Sequence, residues 1–107
     1  MVINVELIVK HMGDRVRFEI SGVIDRQGAE ALKKSFGKLN ITELKELILD
    51  FDKVKYISSS GVNKLLFCYE NIINNGGKLR IINDTGVFHE LLTITKMNTV
   101  LDILKQS

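Results

Sequence analysis

A chain of 107 residues with 45% hydrophobic and 26% charged side chains has the composition of one globular domain spanning 1–107, large enough for a real core and too small for two. Fifteen lysines and arginines against thirteen aspartates and glutamates leave a net charge of +2; the cations are scattered, which excludes a nucleic-acid footprint. No run approaches the roughly 20 apolar residues that cross a bilayer, so no direct membrane insertion is expected, and the N-terminus lacks the pattern of a signal peptide.

Val2 to Val9 comes first. Its odd-numbered members Ile3, Val5, Leu7 and Val9 are all apolar, which predicts a half-buried strand. Gly13 and Asp14 read as a turn. Val16, Phe18 and Ile20 then alternate with Arg15, Arg17 and Glu19, so the two strands form an antiparallel hairpin ended by "SGVID". Asp25 is placed to N-cap a helix from about Arg26 to Lys38, because its carboxylate can accept from free first-turn amides. Ala29, Leu32, Phe36 and Leu39 form the stripe of this helix, and Gly28 and Gly37 weaken it.

Glu46 to Phe51 reads as a short buried strand, central in its sheet, with "DKVKYIS" as a connector. The strongest helical period follows, in Val62, Leu65, Leu66, Tyr69, Ile72 and Ile73, and Asn74 to Gly77 stops it. Lys78 to Ile82 is another strand. A third helix follows "NDTG", with Val87, Leu91 and Ile94 on one face, and Val100 to Leu104 forms a last short strand or turn. The order predicts an α/β domain with a four- to five-stranded mixed sheet and helices mostly on one face. The strands joined through the first two helices should be parallel.

The densest chemistry is "KYISSSGVNKLLF", Lys55 to Phe67, where three serines meet a glycine at a strand-to-helix junction. Ligand and switch sites in such sheets often lie beyond the carboxyl ends of strands, and a helix N-terminus favours negative charge. One serine suffices as an N-cap, and Ser60 is best placed for it. A nucleophilic serine needs a base, and His11 and His89 both fall elsewhere, without a G-x-S-x-G elbow or S-x-x-K. A nucleotide loop would need a G-K-[ST]. The remaining reading is a phosphoacceptor, whose added charge of about −2 changes affinity for a partner without any catalytic group here. No enzyme activity is expected.

"SGVID", "LILDFDKVKYISSSGVNKLL" and "NGGKLRIIN", in this order, resemble the STAS domain, and specifically the stand-alone anti-sigma factor antagonists of bacterial partner switching. The resemblance covers nearly the whole chain. It implies a STAS fold and binding to an anti-sigma factor serine kinase, which releases a sigma factor. Phosphorylation reverses the binding and a serine phosphatase is a further partner. It implies that the phosphoacceptor is Ser59, with Ser58 and Ser60 as rivals, and that Asp25 lies in the neighbouring loop. Ser58 departs from the family, which usually has aspartate there. The partner surface implied is Asp25, Ser58, Ser60, Gly61, Asn63, Lys64 and Phe67, with Phe67 a hydrophobic knob opposite the apolar stripe. The alternatives are a non-phosphorylated STAS subunit of an ABC-type lipid transport complex and a STAS scaffold module.

Cys68 cannot form an internal disulfide and fits a reducing cytoplasm. It sits at the edge of the stripe as a core-flanking residue. Tyr56 and Tyr69 read as packing residues. With two isolated histidines, no metal and no cofactor are expected.

Overall fold

The structure, a computed structural model, describes residues 5–84 and 86. The third helix expected around Val87–Ile94, the segment Val100–Leu104, His89 and the first residues of the Val2 strand lie outside the described residues.

Strands β1 (Val5–Met12), β2 (Arg15–Ile24), β3 (Glu46–Ile57) and β4 (Lys78–Ile82) form one sheet in the order β1-β2-β3-β4. β1 and β2 are the antiparallel hairpin, with Met12 opposite Arg15 across Gly13 and Asp14. β2 pairs parallel with β3, and β3 with β4. The parallel pairs are joined through helices α1 (Arg26–Gly37) and α2 (Ser59–Asn74), which pack against each other and against one side of the sheet.

One apolar face of the sheet makes the core. Phe18 and Ile20 of β2, Leu47, Leu49 and Phe51 of β3 and Leu79 of β4 meet Leu32 and Phe36 of α1 and Leu65, Cys68 and Ile72 of α2. Burying each large side chain stabilises the domain by about 1.5–3 kcal/mol against leaving it in water. β1 supplies the half-buried Val5, Leu7 and Val9, the apolar parity expected of it.

Four features depart from the sequence reading. "DKVKYI" is not a connector but the second half of β3. The register shows why the alternation failed. Glu19 and Ser21 stand opposite Asp50 and Lys53, and Gly22 and Val23 opposite Val54 and Tyr56. At each step β3 carries an extra residue, so its inward residues Phe51, Val54 and Ile57 fall three apart. The same shift turns Tyr56 outward, 52% exposed rather than packed. Ile73, expected on the helix stripe, is 41% exposed, and Cys68 is fully buried instead of flanking the core.

Candidate functional site

The two helices start side by side. Ile24 and Ile57, the last residues of β2 and β3, are direct register partners. α1 begins two residues after the first and α2 two residues after the second. Both N-termini therefore lie at the carboxyl edge of the sheet, where their dipoles reinforce each other.

Both are capped in the same way. Asp25 accepts from the amide of Gly28 through Oδ1 at 2.9 Å. Ser58 accepts from the amide of Gly61 through Oγ at 3.2 Å. The cap of α2 is thus Ser58 and not Ser60, because the helix starts at Ser59. Each glycine allows a close approach to a carbonyl of β2. A Cβ on Gly28 would stand 2.7 Å from the oxygen of Val23, and one on Gly61 would stand 2.8 Å from that of Ile24 and 2.6 Å from Cγ1 of Ile57. The spacing "DRQG" and "SSSG", cap to third helical residue, is the sequence signal for this device.

Ser58 is tied further. Its amide donates to the oxygen of Ile24 at 2.9 Å and its hydroxyl donates to the same oxygen at 3.2 Å. The hydroxyl of Ser58 is therefore engaged both as donor and as acceptor. Ser59, the next residue, is exposed, and Ser60 is half-buried. No acidic residue lies in the first turn of α2.

The remaining expected residues spread along the helices. Asp25 directly follows the Ile24 carbonyl that holds Ser58. Asn63 is exposed one turn beyond Ser59. Lys64 pairs with Glu30 of α1 at 3.4 Å. Phe67 is 43% exposed and packs edge-on against Phe36 of α1, with ring centroids 6.3 Å apart at 76°. Lys33 Nζ stands 5.5 Å from the centroid of the Phe67 ring. The structure thus brings Asp25, Ser58, Ser59, Ser60 and Gly61 to one corner, and places Lys64 and Phe67 along the α1–α2 seam. The sequence reading missed Lys33 and Glu30, which no short-range pattern connects to α2, and Tyr56, hidden by the bulges. Among the described residues no group of histidine, cysteine, aspartate or glutamate is arranged to hold a metal ion, and no helix is long and apolar enough to cross a membrane.

On the sheet side away from the helices, Asp50 is buried. Burial opposes its ionisation, but the amide of Asp52, Nη2 of Arg17 at 2.6 Å and Nδ2 of Asn83 at 3.1 Å outweigh that and hold the carboxyl below its ordinary value. Burial pushes the Cys68 thiol up to about 12, with Lys64 opposing it weakly. Neither is a reactive group.

A family model described as the STAS domain matches residues 6–106. The fold is similar to that of an anti-sigma factor antagonist from Mycobacterium paratuberculosis, at 20% identity and a TM-score of 0.74, over 90% of this chain and 81% of that one. It is also similar to the anti-sigma factor antagonist SpoIIAA in its unphosphorylated form, at 15% identity and a TM-score of 0.70, over 82% of each chain. The phosphorylated form of SpoIIAA, described as a Bacillus cell fate determinant, gives 14% identity and a TM-score of 0.71, over 88% of this chain and 86% of that one. At these identities the likeness is one of fold. None of the curated proteins compared matches the sequence.

Proposed function

The chain belongs to the STAS domain family, and from that membership we propose that it is an anti-sigma factor antagonist switched at Ser59. Unphosphorylated, it binds an anti-sigma factor that is also a serine kinase, and the sigma factor held by that kinase is released. The kinase transfers a phosphoryl group to the Oγ of Ser59, which ends the binding. A serine phosphatase restores the hydroxyl. The protein itself supplies no catalytic group.

One observation carries this reading: of the three serines, the middle one alone is exposed at the start of α2, while the hydroxyl of Ser58 is engaged in the cap. A phosphate there adds about −1.5 to −2 charge at two adjacent helix N-termini, with no carboxylate in the first turn of α2 and with the carboxylate of the corner, Asp25, accepting from the Gly28 amide. The domain therefore tolerates the modification. A partner surface that covers the loop does not, because it would have to desolvate a dianion. The departure at Ser58 keeps the cap intact, since a serine accepts from the Gly61 amide as an aspartate would and also donates to Ile24.

The test is phosphosite mass spectrometry on protein incubated with ATP and the kinase that co-purifies with it from the native cell. Phosphate is expected on Ser59. Ser59→Asp should lose the partner and Ser59→Ala should keep it. Equal affinity of both variants would sink the switch. Co-purification with an ABC ATPase in place of a kinase would assign the chain to a transport complex.

A further inference from the structure

The outward side of α1 shows a charge distribution that the serine loop does not explain. Arg26, Lys33, Lys34 and Lys38 are all exposed there. The one carboxylate of that helix, Glu30, is already paired with Lys64 of α2. Among the described residues the ion pairs include none for Arg26, Lys33, Lys34 or Lys38. Lysines near a helix C-terminus complement its dipole, which accounts for Lys34 and Lys38. It does not account for Lys33, whose ammonium stands against the face of Phe67. Phe67 is in turn pinned by its edge-on contact with Phe36, yet leaves 43% of its surface in water. A shallow depression lined by Glu30, Ala31, Lys33 and Lys34 adjoins this pair.

We propose that this side of α1, together with Phe67, is a second docking surface, and that its occupant is an acidic protein segment carrying apolar side chains. The carboxylates of such a segment meet Lys33, Lys34 and Lys38, and an apolar side chain lies against the exposed part of the Phe67 ring. Charge complementarity selects the class of occupant. The Glu30–Lys64 pair and the exposed Glu70 interrupt the basic surface, so it offers no continuous row of cations for a polyanion such as a nucleic acid, where a protein with mixed charge fits. A membrane surface would call for a row of large apolar residues, and this side offers one ring and an alanine. Phe67 also belongs to the partner surface that the resemblance implies, whereas Lys33, Lys34 and Lys38 do not, and Ser59 lies two turns away on α2, so the lysines test this surface apart from the phosphorylation reading.

The experiment titrates the isotope-labelled protein with a fluorescein-labelled peptide of alternating glutamate and leucine. Amide shifts and fluorescence anisotropy are read, with phosphatidylglycerol vesicles and a short single-stranded DNA run in parallel. Shifts are expected at Lys33, Lys34, Lys38 and Phe67. Lys33→Gln, Lys34→Gln and Lys38→Gln combined should weaken peptide binding roughly tenfold with an unchanged circular dichroism spectrum. Phe67→Ala should weaken it by an amount that does not depend on salt, while the lysine contribution should fade toward about 1 M salt, where the Debye length is about 3 Å. No shifts on α1, equal affinity of the triple variant, or tighter binding of vesicles or DNA through the same lysines would overturn the proposal. Each of these leaves the Ser59 test untouched.

Discussion

Replacing Gly61 with alanine adds one methyl group where the chain has no room for it. The new Cβ would stand 2.6 Å from Cγ1 of Ile57, 2.8 Å from the oxygen of Ile24 and 3.0 Å from Cγ2 of Ile24. A side-chain carbon can rotate away, but the Ile24 carbonyl cannot, because it also receives the amide and the hydroxyl of Ser58. Relief of the clash must therefore move the first turn of α2 away from β2. Overpacking of this kind costs about 1–3 kcal/mol, and a rigid backbone neighbour places it at the upper end. The better helix propensity of alanine returns about 1 kcal/mol. The net is a loss of about 2 kcal/mol, or roughly 10 °C in Tm for a domain of this size. Gly37 is the control. It also lies in a helix, but a Cβ there meets nothing within 4 Å, so Gly37→Ala should leave Tm unchanged or raise it. Differential scanning calorimetry of the two variants checks both. A Gly61→Ala protein as stable as the wild type would refute the argument that the α2 N-terminus is held by this close approach.

Ser58→Ala should cost about 1 kcal/mol in urea denaturation, the usual value of an N-cap, whereas Ser59→Ala at the exposed neighbour should stay within about 0.5 kcal/mol; the opposite order would move the cap to Ser59. Asp50 predicts an acid limb. Its folded-state carboxyl titrates below the ordinary 3.8, so its contribution is complete above the unfolded-state value and is lost as pH falls through the depressed one. Asp50→Asn should therefore lower stability at neutral pH by removing the carboxylate from Nη2 of Arg17, whose Nε keeps Glu19 at 3.4 Å, and should flatten the loss below about pH 4. Parallel acid limbs in the two proteins would contradict this. Cys68, buried with its thiol pushed up to about 12, should resist a thiol reagent at neutral pH and react at once in denaturant. Native labelling at the unfolded rate would show that α2 opens.

The local elements were legible because their causes are local. The parity of Val5, Leu7 and Val9 against Val16, Phe18 and Ile20 specifies a hairpin with one buried face. Asp25 marks the start of α1 within one residue, and the stripe of Val62, Leu65 and Ile72 marks α2. The order of these elements is enough for a mixed sheet with right-handed crossovers. The STAS pattern could be read from the strand, serine-glycine junction and second strand in sequence, and the family model agrees over residues 6–106.

What each serine does could not be read this way. In a run of three identical residues the sequence favours Ser60 as the cap, whereas the long-range bonds of Ser58 to Ile24, 34 positions away, select Ser58 instead. The bulges that carry β3 to Ile57 arise from pairing with β2, so they leave no period in β3 itself. The same holds for Tyr56, turned outward by those bulges, and for Phe67, whose environment comes from Lys33 and Phe36 on another helix. Sequence alone determined the order of the strands and helices between Val5 and Ile82 and where the serine loop falls among them, though not the second half of β3. Tertiary contact decided which hydroxyl is engaged and which is exposed, because a hydrogen bond between distant strands exists only once the sheet has brought Ile24 beside Ile57.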